Sequence, residues 1–362
     1  MPAPWRIASV WRVIRDIDLD GIRNAALDPF DLWIVADEIA DANALADLLS
    51  HPAARHPWIS VYSSQSAPPD PRDPRPVADL RDPRDPRPVS NPPDLRDPRP
   101  VTAPRDPRPL AAFIVSRTIA LSDFLTRARE RITSAHAPVV TVVLGQTGPA
   151  ASARGASEHA RVAVTAFDGG GLAAIAAALL SVFPDDRRLS LGRQLPALRP
   201  ALFDELIQET AQANASFALT TGLAETMPLL TAPLNVGDIV VLTKNQLMLG
   251  YRIVLASGRS GEPRKLIREI VGVLGGGLLF RQIARQLVGL IPVAGLVPKV
   301  AIAYTGTWAI GRAVAAWANE GRTITADMVR TYSAEAVARG RAFAERLVGE
   351  AREGGRRLRR RG

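Results

Sequence analysis

Residues 138–144 read Pro-Val-Val-Thr-Val-Val-Leu. A run of β-branched residues without polar alternation suits a strand covered on both faces, as in a parallel sheet sandwiched by helices. Similar short runs occur at Leu32–Val35, at residues 58–63, at 111–115 and at Arg161–Thr165. Helical spacing separates them. Leu45, Leu48 and Leu49 mark one helix, and Phe124, Leu125 and Ile132 mark another between Leu121 and Ile132. Gly169–Gly171 opens a third that runs to Pro184. Strands alternating with helices predict an α/β layer fold with a parallel sheet.

From Arg199 onward the strand pattern stops. Pro200 suits the first turn of a helix. Phe203, Leu206, Thr210, Ala213 and Phe217 form a helical stripe, widened by Ile207 and interrupted by Asn214. The remaining sequence is Gly-, Ala- and Leu-rich helical pattern to about Arg352. Its last helix is predicted to start at a Thr325 cap, with Tyr332, Ala336, Phe343 and Leu347 on one face. Ahead of the sheet, Trp5, Val10, Trp11, Val13, Ile14 and Ile17 read as a short amphipathic lead-in packed on the domain that follows. The predicted organisation is therefore a lead-in over 1–30, an α/β domain over 31–66 and 111–190, an insertion over 67–110, a helical domain over 191–353 and a tail over 354–362.

The insertion holds fifteen of the thirty prolines between Pro68 and Pro109. Asp-Pro-Arg-Pro recurs at Asp73–Pro76, Asp85–Pro88, Asp97–Pro100 and Asp106–Pro109. Proline blocks helix and central strand, and the segment has almost nothing apolar to bury. An extended, disordered surface expansion is the expectation. Its eight Asp and nine Arg nearly cancel, so it is no basic arm.

With no cysteine, disulfides, zinc–thiolate sites and cysteine nucleophiles are excluded. The four histidines, His51, His56, His136 and His159, are scattered and suggest no metal site. No metal or other cofactor is expected. Net charge is +9, carried almost wholly by arginine, and Lys244, Lys265 and Lys299 are the only lysines. Composition bias towards Arg, Ala, Pro and Gly accounts for much of it. The rest is concentrated in Arg356, Arg357, Arg359, Arg360 and Arg361, a basic tail able to contact anionic head groups or to remain solvated. The first twenty residues carry Arg6, Arg12, Arg15 and Asp16 and develop no apolar core, so no signal peptide is read there.

A phosphate-binding loop after the first strand needs glycines, a lysine and a Ser or Thr. Ala36–Asn43 has none of these and carries Asp37, Glu38 and Asp41, which repel a triphosphate. A GTPase places a guanine-reading Asn-Lys-x-Asp after a strand such as 138–144, where this chain has Gly145-Gln146-Thr147-Gly148. Thr165-Ala166-Phe167-Asp168 followed by Gly169–Gly171 keeps the shape of the next GTPase element. The proline repeat occupies the region of the magnesium-binding Asp-x-x-Gly. The layout is GTPase-like with its nucleotide chemistry removed.

Residues 138–344 resemble bacterial Era-like GTPase proteins that carry a C-terminal helical domain of unknown function, family 697. The resemblance is most specific over 271–321, and 189–215 resembles the usual junction between the two domains. It implies a degenerate P-loop-type α/β domain followed by a membrane-associated helical domain at the cytoplasmic side of the bacterial inner membrane, with the cytoplasm as the alternative. It does not imply GTP hydrolysis, since no catalytic residue matches.

Hydropathy leaves membrane insertion open. Residues 286–311 read as a hairpin of apolar helices broken near Pro292 and Pro298, and Lys299 interrupts it. Such short segments suit a buried bundle or a re-entrant hairpin better than a full span. The positions expected to contact membrane or partner are Leu287, Leu290, Ile291, Val293 and Leu296 in the first arm. Val297, just before Pro298, belongs with that arm, and in the second arm they are Ile302, Tyr304, Trp308 and Ile310.

The leading expectation is a non-catalytic pseudo-GTPase acting as a membrane-associated scaffold that binds protein partners, either related GTPases or itself. A GTP-binding protein with an unorthodox site, its metal held by Asp37, Glu38 and Asp41, is the enzymatic alternative. A soluble helical adaptor whose tail touches anionic lipid or nucleic acid is the third. Nucleic acid ranks last, because no aromatic residue follows Leu347 for base stacking.

Overall fold

The computed structural model describes residues 17–52, 59–66, 68, 109–146, 159–225, 234–275, 296–322 and 325–359. The proline repeat, the lead-in side chains from Trp5 to Ile14, and Leu287, Leu290, Ile291 and Val293 lie outside these residues. So do the Leu296 side chain, the side chains of Arg356, Arg357 and Arg359, and the whole of Arg360 and Arg361.

The chain divides into two compact units, Pro29–Pro184 and the remainder. In the first, β1 (Leu32–Ala36) is followed by α2 (Ile39–Ser50) and β2 (Ile59–Tyr62). Then come β3 (Ala111–Ser116), α3 (Asp123–Ser134), β4 (Val139–Leu144), β5 (His159–Val164) and α4 (Gly169–Val182). The five strands are all parallel, in the order β2-β1-β3-β4-β5. The sheet is the one expected from the sequence.

Burial follows strand position. The central strands β1 and β3 are buried at every residue, and β4 at all but its last. The edge strand β5 alternates between exposed and buried residues, and β2 is mostly half-buried. Helix α3 covers the face bearing Trp33, Val35, Ala112 and Ile114 through Leu125, Ala128 and Ile132. Tyr62 closes that face edge-on against Trp33, with ring centroids 5.3 Å apart. The unit's two ends meet, Phe30 lying edge-on to Phe183 at 5.8 Å.

The second unit is helical. It begins with α1 (Leu19–Leu27), then resumes after a short turn at Asp185–Arg187 with α5 (Arg188–Gln194) and α6 (Arg199–Glu225). It continues with α7 (Leu234–Ala256), α8 (Pro263–Gly275), α9 (Leu296–Glu320) and α10 (Ala326–Arg359). Three sequence expectations change here. The described part of the lead-in, α1, belongs to the helical unit rather than to the α/β domain that follows it in sequence. Tyr251 donates its hydroxyl proton to the Leu19 carbonyl at 3.1 Å, and Gln194 donates to the Asp28 carbonyl at 3.0 Å. The helical unit resumes at Asp185 rather than at 191. The last helix runs to Arg359, so the basic positions Arg356, Arg357 and Arg359 are on helix rather than on a separate tail.

Helix α9 is the centre of this unit and packs on α6, α7 and α10. Close approach is set by small residues. A Cβ on Gly311 would meet Ile207 at 2.6 Å and Leu249 at 3.0 Å, and one on Gly340 would meet Thr305 Oγ1 at 2.5 Å. The Thr325 hydroxyl caps α10 as expected, accepting from the Met328 amide at 3.2 Å. The buried stripe of α10 is Ser333, Ala336, Gly340, Ala344 and Val348. Of the predicted face only Ala336 is fully buried, while Tyr332, Phe343 and Leu347 are half-buried at its margin.

Candidate functional site

The strand order reverses between β1 and β3. In open α/β sheets the loops that leave two such strands diverge to opposite faces and leave a crevice where ligands bind. Here those loops are the Asp37–Glu38 turn and Arg117–Leu121. They are stapled together twice. Arg117 donates to both carboxylate oxygens of Asp41, Nε to Oδ2 and Nη2 to Oδ1, each at 2.7 Å. Glu38 lies 3.9 Å from the same guanidinium. Ser122, the N-cap of α3, donates to Asp37 Oδ1 at 2.5 Å while accepting from the Leu125 amide at 3.2 Å. Ser64, just after β2, adds a bond to the Asp37 carbonyl at 3.0 Å.

The electrostatics follow from this pairing. Asp41 is buried, and a bidentate guanidinium is the partner that satisfies both oxygens at once. The hydrogen bond and charge of Asp41, reinforced by Glu38, raise the Arg117 pKa further above the ordinary arginine range. The cation at the crevice is thus committed to carboxylates. Among the described residues no group of three or more metal-ligating side chains comes together. The Asp37, Glu38 and Asp41 turn places its carboxylates on Arg117 and Ser122.

The turns after β4 and β5 are held by local hydrogen bonds. After β4, Gly145 sits at φ +82° and donates its amide to the Val164 carbonyl at 2.8 Å, with Gln146 on the same acceptor at 3.3 Å. Thr147 and Gly148 lie outside the described residues. After β5, Asp168 caps α4 by accepting from the Gly171 amide at 2.8 Å. Gly171 is required there because the Ala166 carbonyl fills the space of a Cβ. The glycine run is the first turn of α4, and Asp168 caps its start.

No protein-family model, characterised protein or solved structure matches this chain. The resemblance described above rests on the quoted residues alone.

In the helical unit, Tyr304, Trp308 and Ile310 are 6%, 7% and 1% exposed. They are core residues of the helical unit, not surface positions. Val297 and Ile302 are half-buried. Helix α9 is buried over most of its length because α6, α7 and α10 pack against it. Among the described residues no helix is long and apolar enough to cross a membrane. Arginines lie over the aromatic margin, with Arg312 5.3 Å and Arg339 5.8 Å above Trp308, and Arg346 5.3 Å above Phe343.

A cleft of about 590 Å³ opens in this unit between α1 and the α5–α6 region, a size ordinary for ligand sites. Ile22, Ala25, Leu189 and Leu206 supply its apolar wall, and Asp18, Asp186 and Arg252 its charged rim. Arg188 lines it and is nearly buried, held by Asp185, by Glu209 at 3.5 Å and by Glu205 at 4.0 Å. Its Nε–H is buried without a hydrogen-bond acceptor. Neither Arg117 nor Arg188 was legible as a site residue. Their partners come from elements that only the fold brings together.

Proposed function

We propose that this chain is a non-catalytic, pseudo-GTPase-like protein that works by binding partners rather than by turning over nucleotide. The observation that carries this reading is the bidentate Arg117–Asp41 pair at the switch point of a doubly wound sheet. Nucleotide-binding α/β folds offer phosphate a ring of free backbone amides and a free cation at this place. This chain offers carboxylates, and the nearby cation already neutralises them. The absence of glycine and lysine from Ala36–Asn43 and the capped start of α4 support the same reading.

The proposal extends to the cytoplasmic surface of a membrane, reached through the arginine-rich end of α10. The resemblance over residues 271–321 and the concentration of charge from Arg356 to Arg361 support this part.

Titration of the full chain with fluorescent GTP and ATP analogues, with and without magnesium, tests the core of the proposal. No saturable binding is expected through the micromolar range. Micromolar binding of either nucleotide overturns it in favour of a GTP-binding protein with an unorthodox site.

A further inference from the structure

We infer that the stapled strand-end loops form a docking surface for a protein partner that presents an aliphatic side chain flanked by lysine or arginine. This deepens the partner-binding reading and rests on it. Asp37 and Asp41 are the anchor points on one loop, Ser122 and Arg117 those on the other. Ile39 lies midway between the first two, and Ile119 lies between the second two. Ile39 is 44% exposed and Ile119 61% exposed, and among the described residues they are the only large hydrophobic side chains that exposed.

Two features separate this pair from scattered surface apolars. Ile39 opens helix α2 and Ile119 sits on the loop after β3, and the two crosslinks tie these segments together, so little ordering entropy is lost when a partner lands on them. Both also stand at the strand ends where α/β folds place their ligands. The partner's charge is set by the rim. The exposed carboxylates of Asp37, Glu38 and Asp123 outnumber the single guanidinium of Arg117, which the buried Asp41 already engages. An aliphatic centre with an acidic rim is complementary to an aliphatic centre with a basic rim, and complementary charge also speeds encounter. Two isoleucines make a small centre, so the contact belongs with transient interfaces.

The test uses the full chain and two fluorescein-labelled amphipathic peptides, one of lysine and leucine and one of glutamate and leucine. Fluorescence anisotropy gives affinity, and isoleucine methyl NMR gives location. The lysine–leucine peptide is expected to bind, to shift the Ile39 and Ile119 methyl signals, and to weaken at least tenfold in the double variant Ile39→Ser, Ile119→Ser. Because both side chains are exposed, that variant keeps the melting temperature of the parent. Asp185→Asn, a change in the acidic region of the other unit, leaves the affinity unchanged. No binding at millimolar peptide, equal binding of the glutamate–leucine peptide, or an unweakened double variant overturns the inference. A chain that binds GTP and still engages the basic peptide through Ile39 and Ile119 overturns the pseudo-GTPase reading and leaves this surface standing.

Discussion

The Asn214 side-chain amide donates to Thr307 Oγ1 at 2.8 Å, and both residues are sealed from solvent. Asn245 donates to the Asn214 carbonyl oxygen at 2.7 Å, and Gln246 reaches Thr307 at 3.3 Å. Thr307 passes its own proton to the Ala303 carbonyl at 2.8 Å. This network joins α6, α7 and α9, and it explains why an asparagine interrupts the apolar stripe of α6. Leaving a buried polar partner unsatisfied costs about 1–3 kcal/mol. Asn214→Leu is expected to lose about that much in urea unfolding. Adding Thr307→Val removes one of the stranded groups and should restore part of the loss.

Two glycines of α10 should respond oppositely to alanine. At Gly340 a Cβ would press on Thr305 Oγ1 at 2.5 Å and on the Ala301 carbonyl at 3.1 Å. Overpacking of this kind costs about 1–3 kcal/mol, more than the gain in helix propensity returns. At Gly349 nothing lies within 4 Å of the added methyl. Gly349→Ala is expected to raise stability by up to about 1 kcal/mol. Thermal melts of the two variants, compared with the parent, check both signs.

Tyr251 links pH to the stability of the helical unit. Burial pushes its phenol up to about 12 from an ordinary 10.0. The folded state therefore holds this proton where the unfolded chain releases it. The contribution is complete below pH 10 and is lost as pH rises from about 10 to about 12. Tyr251→Phe should flatten that alkaline slope and also lose the bond to Leu19. Denaturant midpoints across the interval, with absorbance near 295 nm to follow phenolate, make the comparison.

Attachment to membranes is expected to be peripheral. Vesicles containing anionic lipid should pellet the full chain at low salt and release it at high salt. Replacing Arg356, Arg357, Arg359, Arg360 and Arg361 with glutamine should weaken binding by about 1 kcal/mol per charge. Pelleting that resists alkaline carbonate would show an inserted element and overturn the expectation.

The sheet was readable because its signal is local. Residues 139–144 and 32–35 carry enough consecutive β-branched and aromatic side chains to define buried strands on their own. The Thr325 cap was readable for the same reason, since it acts three residues away. The fate of α9 was not. A helix surrounded by protein and a helix surrounded by lipid have the same composition, so the sequence does not say which neighbours lie around Tyr304, Trp308 and Ile310. The α10 face was misplaced because pattern reading follows large side chains, while the tight seam is made by Ser333, Gly340 and Ala344. The candidate site depended on Arg117 finding Asp41 across 76 residues of sequence, a pairing with no local signature.

The Pro29–Pro184 unit is spliced into the helical unit between α1 and α5, which sets an order of events on the ribosome. Helix α1 emerges early, yet the tyrosine that binds its first carbonyl lies 232 residues later. At roughly 5–20 residues per second, the nascent chain waits about 10–50 s for that partner. The sheet has all its strands in hand well before then. The α/β unit is therefore expected to mature first, while the opening helix stays without its final neighbours until α7 is released.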